Sequence, residues 1–204
     1  MRSEATSSMT GTPGSRPNVN APAAGRDAPV RAVFLVGFMG AGKTSVGRAL
    51  SRKLGWRFED LDDRIQAREG RSIPEMFQRS GEAHFRRSEV AALRELLAEL
   101  ESSPTVAALG GGAFVQEEVT SLLAQAGGMT IFLDAPLEEL WRRCGSDVVE
   151  RPLRRREAEF RQLYEARRPR YLRAHMRVET EGREIEQIVS AIVSGLGLNS
   201  SEEM

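Results

Sequence analysis

Gly37-Phe38-Met39-Gly40-Ala41-Gly42-Lys43-Thr44 fits the pattern G-x-x-x-x-G-K-[ST], the signature of a phosphate-binding loop. The apolar run Ala32-Val33-Phe34-Leu35-Val36 stands before it, and an amphipathic pattern with Val46, Leu50 and Leu54 on one stripe follows. Strand, glycine loop and helix are the setting this motif needs. Glycines let the backbone curl with its N–H groups pointing inward, where they cradle an anion. The positive N-terminal end of the following helix adds to the attraction. Lys43 can reach the β- and γ-phosphates of a nucleotide, and the Thr44 hydroxyl can ligate Mg²⁺. A chance glycine-rich turn would not need Lys and Thr in register, so the expected ligand is a nucleoside triphosphate.

Further groups with chemical potential follow later strands. Asp60-Leu61-Asp62 comes after the second apolar stretch. Alternation at a strand end would send both carboxylates toward a common crevice. One near Thr44 could hold Mg²⁺ through water, and the other could take the proton of a substrate hydroxyl. Carboxylates are also favoured at a helix N-terminus for purely structural reasons, and both readings fit. Phe85-Arg86-Arg87 falls in the first turn of a long helical pattern, where cations oppose the helix dipole. That mismatch suits a ligand role, although an arginine pair is more often a solvated face. Gly110-Gly111-Gly112 offers backbone N–H groups and room for close approach. Arg151-Pro152 sits in a polar segment, and Arg167-Arg168-Pro169 ends a helical pattern. Cys144, His84 and His175 have no partner spacing that would make a triad or a metal site.

These groups must be positioned by regular elements. From Val30 onward, strand and helix patterns alternate: strands at about 31–36, 56–60, 105–109, 129–133 and 175–179. Helices are expected at about 43–54, 62–69, 74–79, 82–101, 116–126, from 136 to about 144, at 157–167 and at 183–195. The long one has Val90, Leu93, Leu97 and Leu100 as its apolar stripe. Such alternation predicts an α/β fold with a parallel sheet and helices on both faces. In that architecture, ligands sit beyond the carboxyl ends of the strands.

At 204 residues the chain has room for one domain with a sizeable core. The 29 basic and 29 acidic residues cancel, which gives no global field to attract nucleic acid or a membrane surface. Nearly all the basic residues are arginine, the better fork for carboxylate and phosphate; the lysines are Lys43 and Lys53. A single cysteine, Cys144, allows no internal disulfide and fits a reducing compartment, so a cytoplasmic protein is expected. No apolar run is long enough for a membrane helix. Residues 1–28 are rich in Ser, Thr, Pro, Gly and Ala and read as a disordered tail without a secretory signal. Arg2, Arg16 and Arg26 leave a transit peptide conceivable, but the stretch is short and has no amphipathic helix.

The set Gly37–Thr44, Phe58-Glu59-Asp60-Leu61-Asp62, Phe85-Arg86-Arg87, Leu109-Gly110-Gly111-Gly112, Asp134-Ala135-Pro136, Arg151-Pro152-Leu153 and Arg167-Arg168-Pro169-Arg170-Tyr171 resembles shikimate kinase, in order and spacing, from about Arg31 to Gly195. The resemblance implies a three-layer P-loop kinase fold with strand order 2-3-1-4-5. It implies ATP-dependent phosphorylation of the shikimate 3-hydroxyl, a transferase step of the shikimate pathway to chorismate and aromatic amino acids. By the same likeness, Gly40, Ala41, Gly42, Lys43, Thr44, Ser45 and Arg151 contact ATP, and Thr44 and Asp60 serve Mg²⁺. Asp62 binds the hydroxyl and acts as base, Arg86 and Arg167 clamp the carboxylate, and Gly111 and Gly112 line the pocket. Lys43, Asp62 and Arg151 are the catalytic set. Arg143 resembles a nucleotide-side arginine. The likeness divides the chain into a tail at 1–28, a kinase domain at 29–198 with a lid at about 145–156, and a flexible C-terminal tail at 199–204. ATP and shikimate are the implied partners of a monomer. The chain departs from the family in its longer N-terminal tail, in a one-residue shift of the loop up to Arg151, and in Arg154 where a second apolar residue is common. A gluconate kinase would not need two arginines aimed at a carboxylate in this register. A non-catalytic sensor would have lost Lys43, Asp62 or Arg151, and would carry a DNA-binding module that 28 residues cannot form.

Overall fold

The computed structural model describes residues 30–146 and 157–198. The expected tails at 1–28 and 199–204, most of the expected lid, and Arg151 lie outside the described residues. Five strands are present: β1 (Ala32–Val36), β2 (Arg57–Asp60), β3 (Thr105–Ala108), β4 (Met129–Asp134) and β5 (Met176–Glu179). They form one sheet in the order β2-β3-β1-β4-β5, and each neighbouring pair is parallel. β1 and β3 are buried along their whole length, and β4 is buried beyond Met129. A strand buried on both faces needs helices above and below it, which is why these strands read as continuous apolar runs. β2 and β5 stand at the edges and carry charge in the sequences RFED and MRVE.

The helices are α1 (Lys43–Leu54), α2 (Leu61–Glu69), α3 (Ile73–Glu99), α4 (Glu117–Gln125), α5 (Leu137–Ser146), α6 (Glu157–Tyr171) and α7 (Ile185–Leu196). On α1 the expected stripe of Val46, Leu50 and Leu54 is buried, each side chain stabilising by about 1.5–3 kcal/mol. Gly55, left-handed at φ 66°, stops this helix by turning its N–H back to Ser51 and Arg52 carbonyls.

Three details differ from expectation: the turn that holds Arg86, the approach to α4 and the end of α6. The helices expected at 74–79 and 82–101 are both present as two segments of α3, separated at Gly81, whose backbone is not helical (φ 76°, ψ 171°). Ser72 and Glu75 form a reciprocal capping box at its start. Arg86 therefore lies in the second turn after the bend rather than in a first turn. Its charge is answered on the helix itself by Glu82 and Glu89. A short 3₁₀ turn (Ala113–Val115) precedes α4. α6 runs through Pro169 to Tyr171 instead of ending at Arg167, and the Leu172 N–H still closes onto Arg168. Buried Tyr171, against Phe132 of β4, and buried Phe160, against Phe38 and Trp141, anchor that helix, which outweighs the hydrogen bond that proline removes. No helix among the described residues is long and apolar enough to cross a membrane.

Candidate active site

The carboxyl end of β1 runs into the glycine loop, and α1 begins at Lys43. Gly42 caps α1 in the left-handed region (φ 84°), a conformation that turns the loop into the helix and that a side chain would resist. Gly40 is also left-handed (φ 78°), and a Cβ there would lie 3.0 Å from Cys144 Sγ. The Lys43 ammonium donates to the Gly37 and Phe38 carbonyls, 3.0 Å each, which folds it back over the loop. Arg143 on α5 donates to the Gly40 carbonyl at 3.3 Å and to Glu139 Oε1 at 2.5 Å, so it stands beside the loop.

Asp60 has two partners. It caps the N-terminus of α2, where its Oδ1 accepts from the Asp62 N–H at 3.1 Å. Its Oδ2 accepts from the Thr44 hydroxyl at 2.8 Å. Asp62 arrives by another route than expected. β2 ends at Asp60, so the first turn of α2, not strand alternation, carries Asp62 to the crevice while Leu61 is buried. Lys43, Thr44, Asp60, Asp62, Gly40 and Gly111 all border one cavity of about 390 Å³.

Arg86 and Arg167 do not border this cavity; each lies against the glycine turn beside it. Arg86 donates from Nη1 to Glu89 Oε2 (2.8 Å) and from Nε and Nη2 to Glu82 Oε1 (3.2 and 3.0 Å). Its guanidinium lies against Gly112, where an added Cβ would come within 2.7 Å of Nη2. Arg167 on α6 donates to the Gly111 carbonyl at 3.3 Å and lies over the Phe38 ring, 5.9 Å from its centroid. The Tyr171 hydroxyl donates to the same carbonyl. Gly111 and Gly112 are thus bracketed by the two guanidinium groups. Ala41 is buried under the loop, and Ser45 follows Thr44 at the cavity edge.

Burial and charge set the proton affinities here. Burial pushes the Glu89 carboxyl up, and its bonds to Arg86 and Gln116 only partly oppose that. Burial lowers Arg86, but Glu89 and Glu82 more than offset it, so its guanidinium is held charged more firmly. Burial pushes the Tyr171 phenol up to about 12, which keeps it a neutral donor. Glu89 and Gln116 are the residues that the sequence reading passed over. Glu89 lies three positions after Arg86, a helical neighbour spacing that could have flagged it. Gln116 contacts Glu89 across 27 residues and carries no local signal.

A phosphate loop at the end of a central parallel strand, two carboxylates beside its threonine and two arginines across a glycine turn define a P-loop kinase for a small anionic substrate. Comparison with known proteins narrows the class. The family profile "SKI: Shikimate kinase" matches residues 39–196. A shikimate kinase of Persephonella marina is 39% identical over 80% of this chain and 98% of its own. One from Ruegeria pomeroyi is 42% identical over 81% of this chain and 85% of its own. The solved structure of the Acinetobacter baumannii shikimate kinase in complex with shikimate superposes with a TM-score of 0.74 at 36% identity, over 81% of this chain and 92% of that one. The chain belongs to the shikimate kinase family, the enzymes that phosphorylate shikimate with ATP on the route to aromatic amino acids.

Proposed function

We propose that this chain transfers the γ-phosphoryl group of ATP to the 3-hydroxyl of shikimate. The observation that carries the reading is the convergence of Lys43, Thr44, Asp60, Asp62 and Gly111 on one cavity. Backbone N–H groups from Gly40 to Ser45 cradle the phosphates, and Lys43 leaves the Gly37 and Phe38 carbonyls to meet the β- and γ-oxygens. Thr44 Oγ1 and Asp60 Oδ2, 2.8 Å apart, are hard oxygen donors suited to Mg²⁺. When bound, Mg²⁺ supplies neutralisation of the charge that develops between the β- and γ-phosphates.

Asp62 accepts the proton of the attacking hydroxyl and orients it toward the γ-phosphorus. Arg86 and Arg167 hold the substrate carboxylate as charge-assisted forks, with Gly111 and Gly112 leaving room between them. Arg151, assigned to the phosphates by the family likeness, lies outside the described residues. The catalytic unit is residues 29–198, and the tails at 1–28 and 199–204 take no part in turnover. The enzyme works as a cytoplasmic monomer, with no nucleic acid or membrane partner. Arg86→Ala tests the clamp: with ATP saturating, the shikimate KM rises roughly 10- to 150-fold, the effect of losing about 1.5–3 kcal/mol of charge-assisted bonding. An unchanged KM would place the carboxylate elsewhere.

A further inference from the structure

Arg86 is supported by a residue outside its own helix. Gln116 occupies the N-cap position of α4 with extended backbone (φ −82°, ψ 131°), yet its side chain makes no capping hydrogen bond. Short side chains such as Ser or Asp serve that position by folding onto their own helix. Gln116 instead reaches away and donates from Nε2 to Glu89 Oε2 at 2.6 Å. The same oxygen accepts from Arg86 Nη1 at 2.8 Å, and the Glu89 side chain has no solvent exposure. Glu89 Oε1 faces Gly110, where an added Cβ would lie 3.1 Å from it and 2.7 Å from Asp62 Oδ1.

We infer that Gln116 is a positioning residue for the substrate clamp, acting through Glu89 on Arg86. The inference rests on the assignment of Arg86 to the shikimate carboxylate. A buried carboxylate stays ionised only if hydrogen bonds and opposite charge compensate its lost hydration. The groups facing Glu89 are Arg86 on α3, Asp62 on α2, Arg167 on α6 and Gln116 before α4. Asp62 has the same sign and works against ionisation together with burial, and the donors oppose both. Gln116 is the neutral member, and it does not compete with Glu89 for the guanidinium. Without it, Glu89 takes up a proton more readily, the Arg86–Glu89 bond loses its charge assistance, and the guanidinium turns toward the exposed Glu82. That moves the fork away from Gly112 and from the carboxylate it holds.

The test compares wild type, Gln116→Ala and Gln116→Ser by calorimetric titration with shikimate, by ATP kinetics, by thermal unfolding and by the pH profile of kcat/KM for shikimate. Ser is a good helix cap but cannot reach Glu89, so it separates the two jobs. Both variants should bind shikimate about fivefold more weakly, the loss of one modest hydrogen bond. Both should leave the ATP KM within about twofold and move the acid limb of the profile to higher pH. Gln116→Ser should unfold at or above the temperature of Gln116→Ala and still bind shikimate as poorly. Wild-type affinity in Gln116→Ser, or an unmoved acid limb in both variants, would leave Gln116 as a helix-end residue only and overturn the proposal. Wild-type protein that fails to bind shikimate would overturn the clamp assignment itself, a result that the variants cannot mimic.

Discussion

At the scale of single residues, the proposed mechanism divides labour between a base and a clamp. In it Asp62 acts only on the attacking hydroxyl, so Asp62→Asn should lower kcat by roughly 10²–10⁴-fold, with a small change in shikimate KM. Initial rates with ATP saturating and shikimate varied check this, and a near-normal kcat would remove Asp62 as base. Gly112→Ala probes the clamp without touching a charge. The added methyl would come within 2.7 Å of Arg86 Nη2, so the flexible guanidinium must shift. Shikimate KM should rise severalfold, while thermal stability changes by about 1 kcal/mol or less, since a mobile side-chain end gives way. Calorimetric shikimate binding set against thermal unfolding separates the two. Residue types and local spacing singled out the phosphate loop, Asp60, Asp62 and Arg86, because each belongs to a short motif. They did not reveal Gln116 or Glu89, whose hydrogen bond joins α3 to a turn 27 residues further on.

At the scale of elements, what was legible followed hydrophobic periodicity, and what was missed followed tertiary packing. The strands and α1 were readable because their apolar runs and stripes are buried as their pattern requires. The break at Gly81 was readable too, since one helical pattern stops at 79 and the next starts at 82 with the non-helical glycine between them. The passage of α6 through Pro169 was not: its end is set by buried Tyr171 and by the grip of Tyr171 and Arg167 on the Gly111 carbonyl. Asp134 fastens the same helix to the sheet by accepting from Arg168 (2.7 Å) and from Arg177 (2.8 Å) while itself nearly buried. Removing that charge leaves two half-buried guanidinium groups without their shared acceptor. Asp134→Ala should therefore cost about 3 kcal/mol of stability, measured by urea unfolding. A cost below about 1 kcal/mol would mean that α6 is held by its apolar contacts alone.

At the scale of the whole molecule, stability should depend on pH in two stages. Burial lowers the His175 imidazole, whose Nδ1 accepts the Thr130 N–H at 3.0 Å. The unfolded chain therefore binds this proton first, near 6.5. The contribution of His175 is complete above that value and is lost as pH falls through the folded one. Hydrogen bonds from Ser88 and His84, with Arg71 behind them, hold the Glu69 carboxyl down from 4.5 to about 2. Its contribution is complete above 4.5 and disappears as pH drops toward 2. Urea midpoints should be level above pH 7, decline gently below about 6.5 and fall further below about 4.5. A midpoint that rises on acidification from pH 7 to 5 would contradict the His175 assignment. Fold, cavity and family membership converge on phosphoryl transfer to a small hydroxy acid, and one measurement bears on that claim most directly. ADP release and ³¹P spectra should be followed with ATP and Mg²⁺, with and without shikimate. The account predicts shikimate-dependent ADP release matched mole for mole by a phosphate monoester on the 3-hydroxyl. ADP release that is indifferent to shikimate, or phosphate found at another hydroxyl, would contradict it.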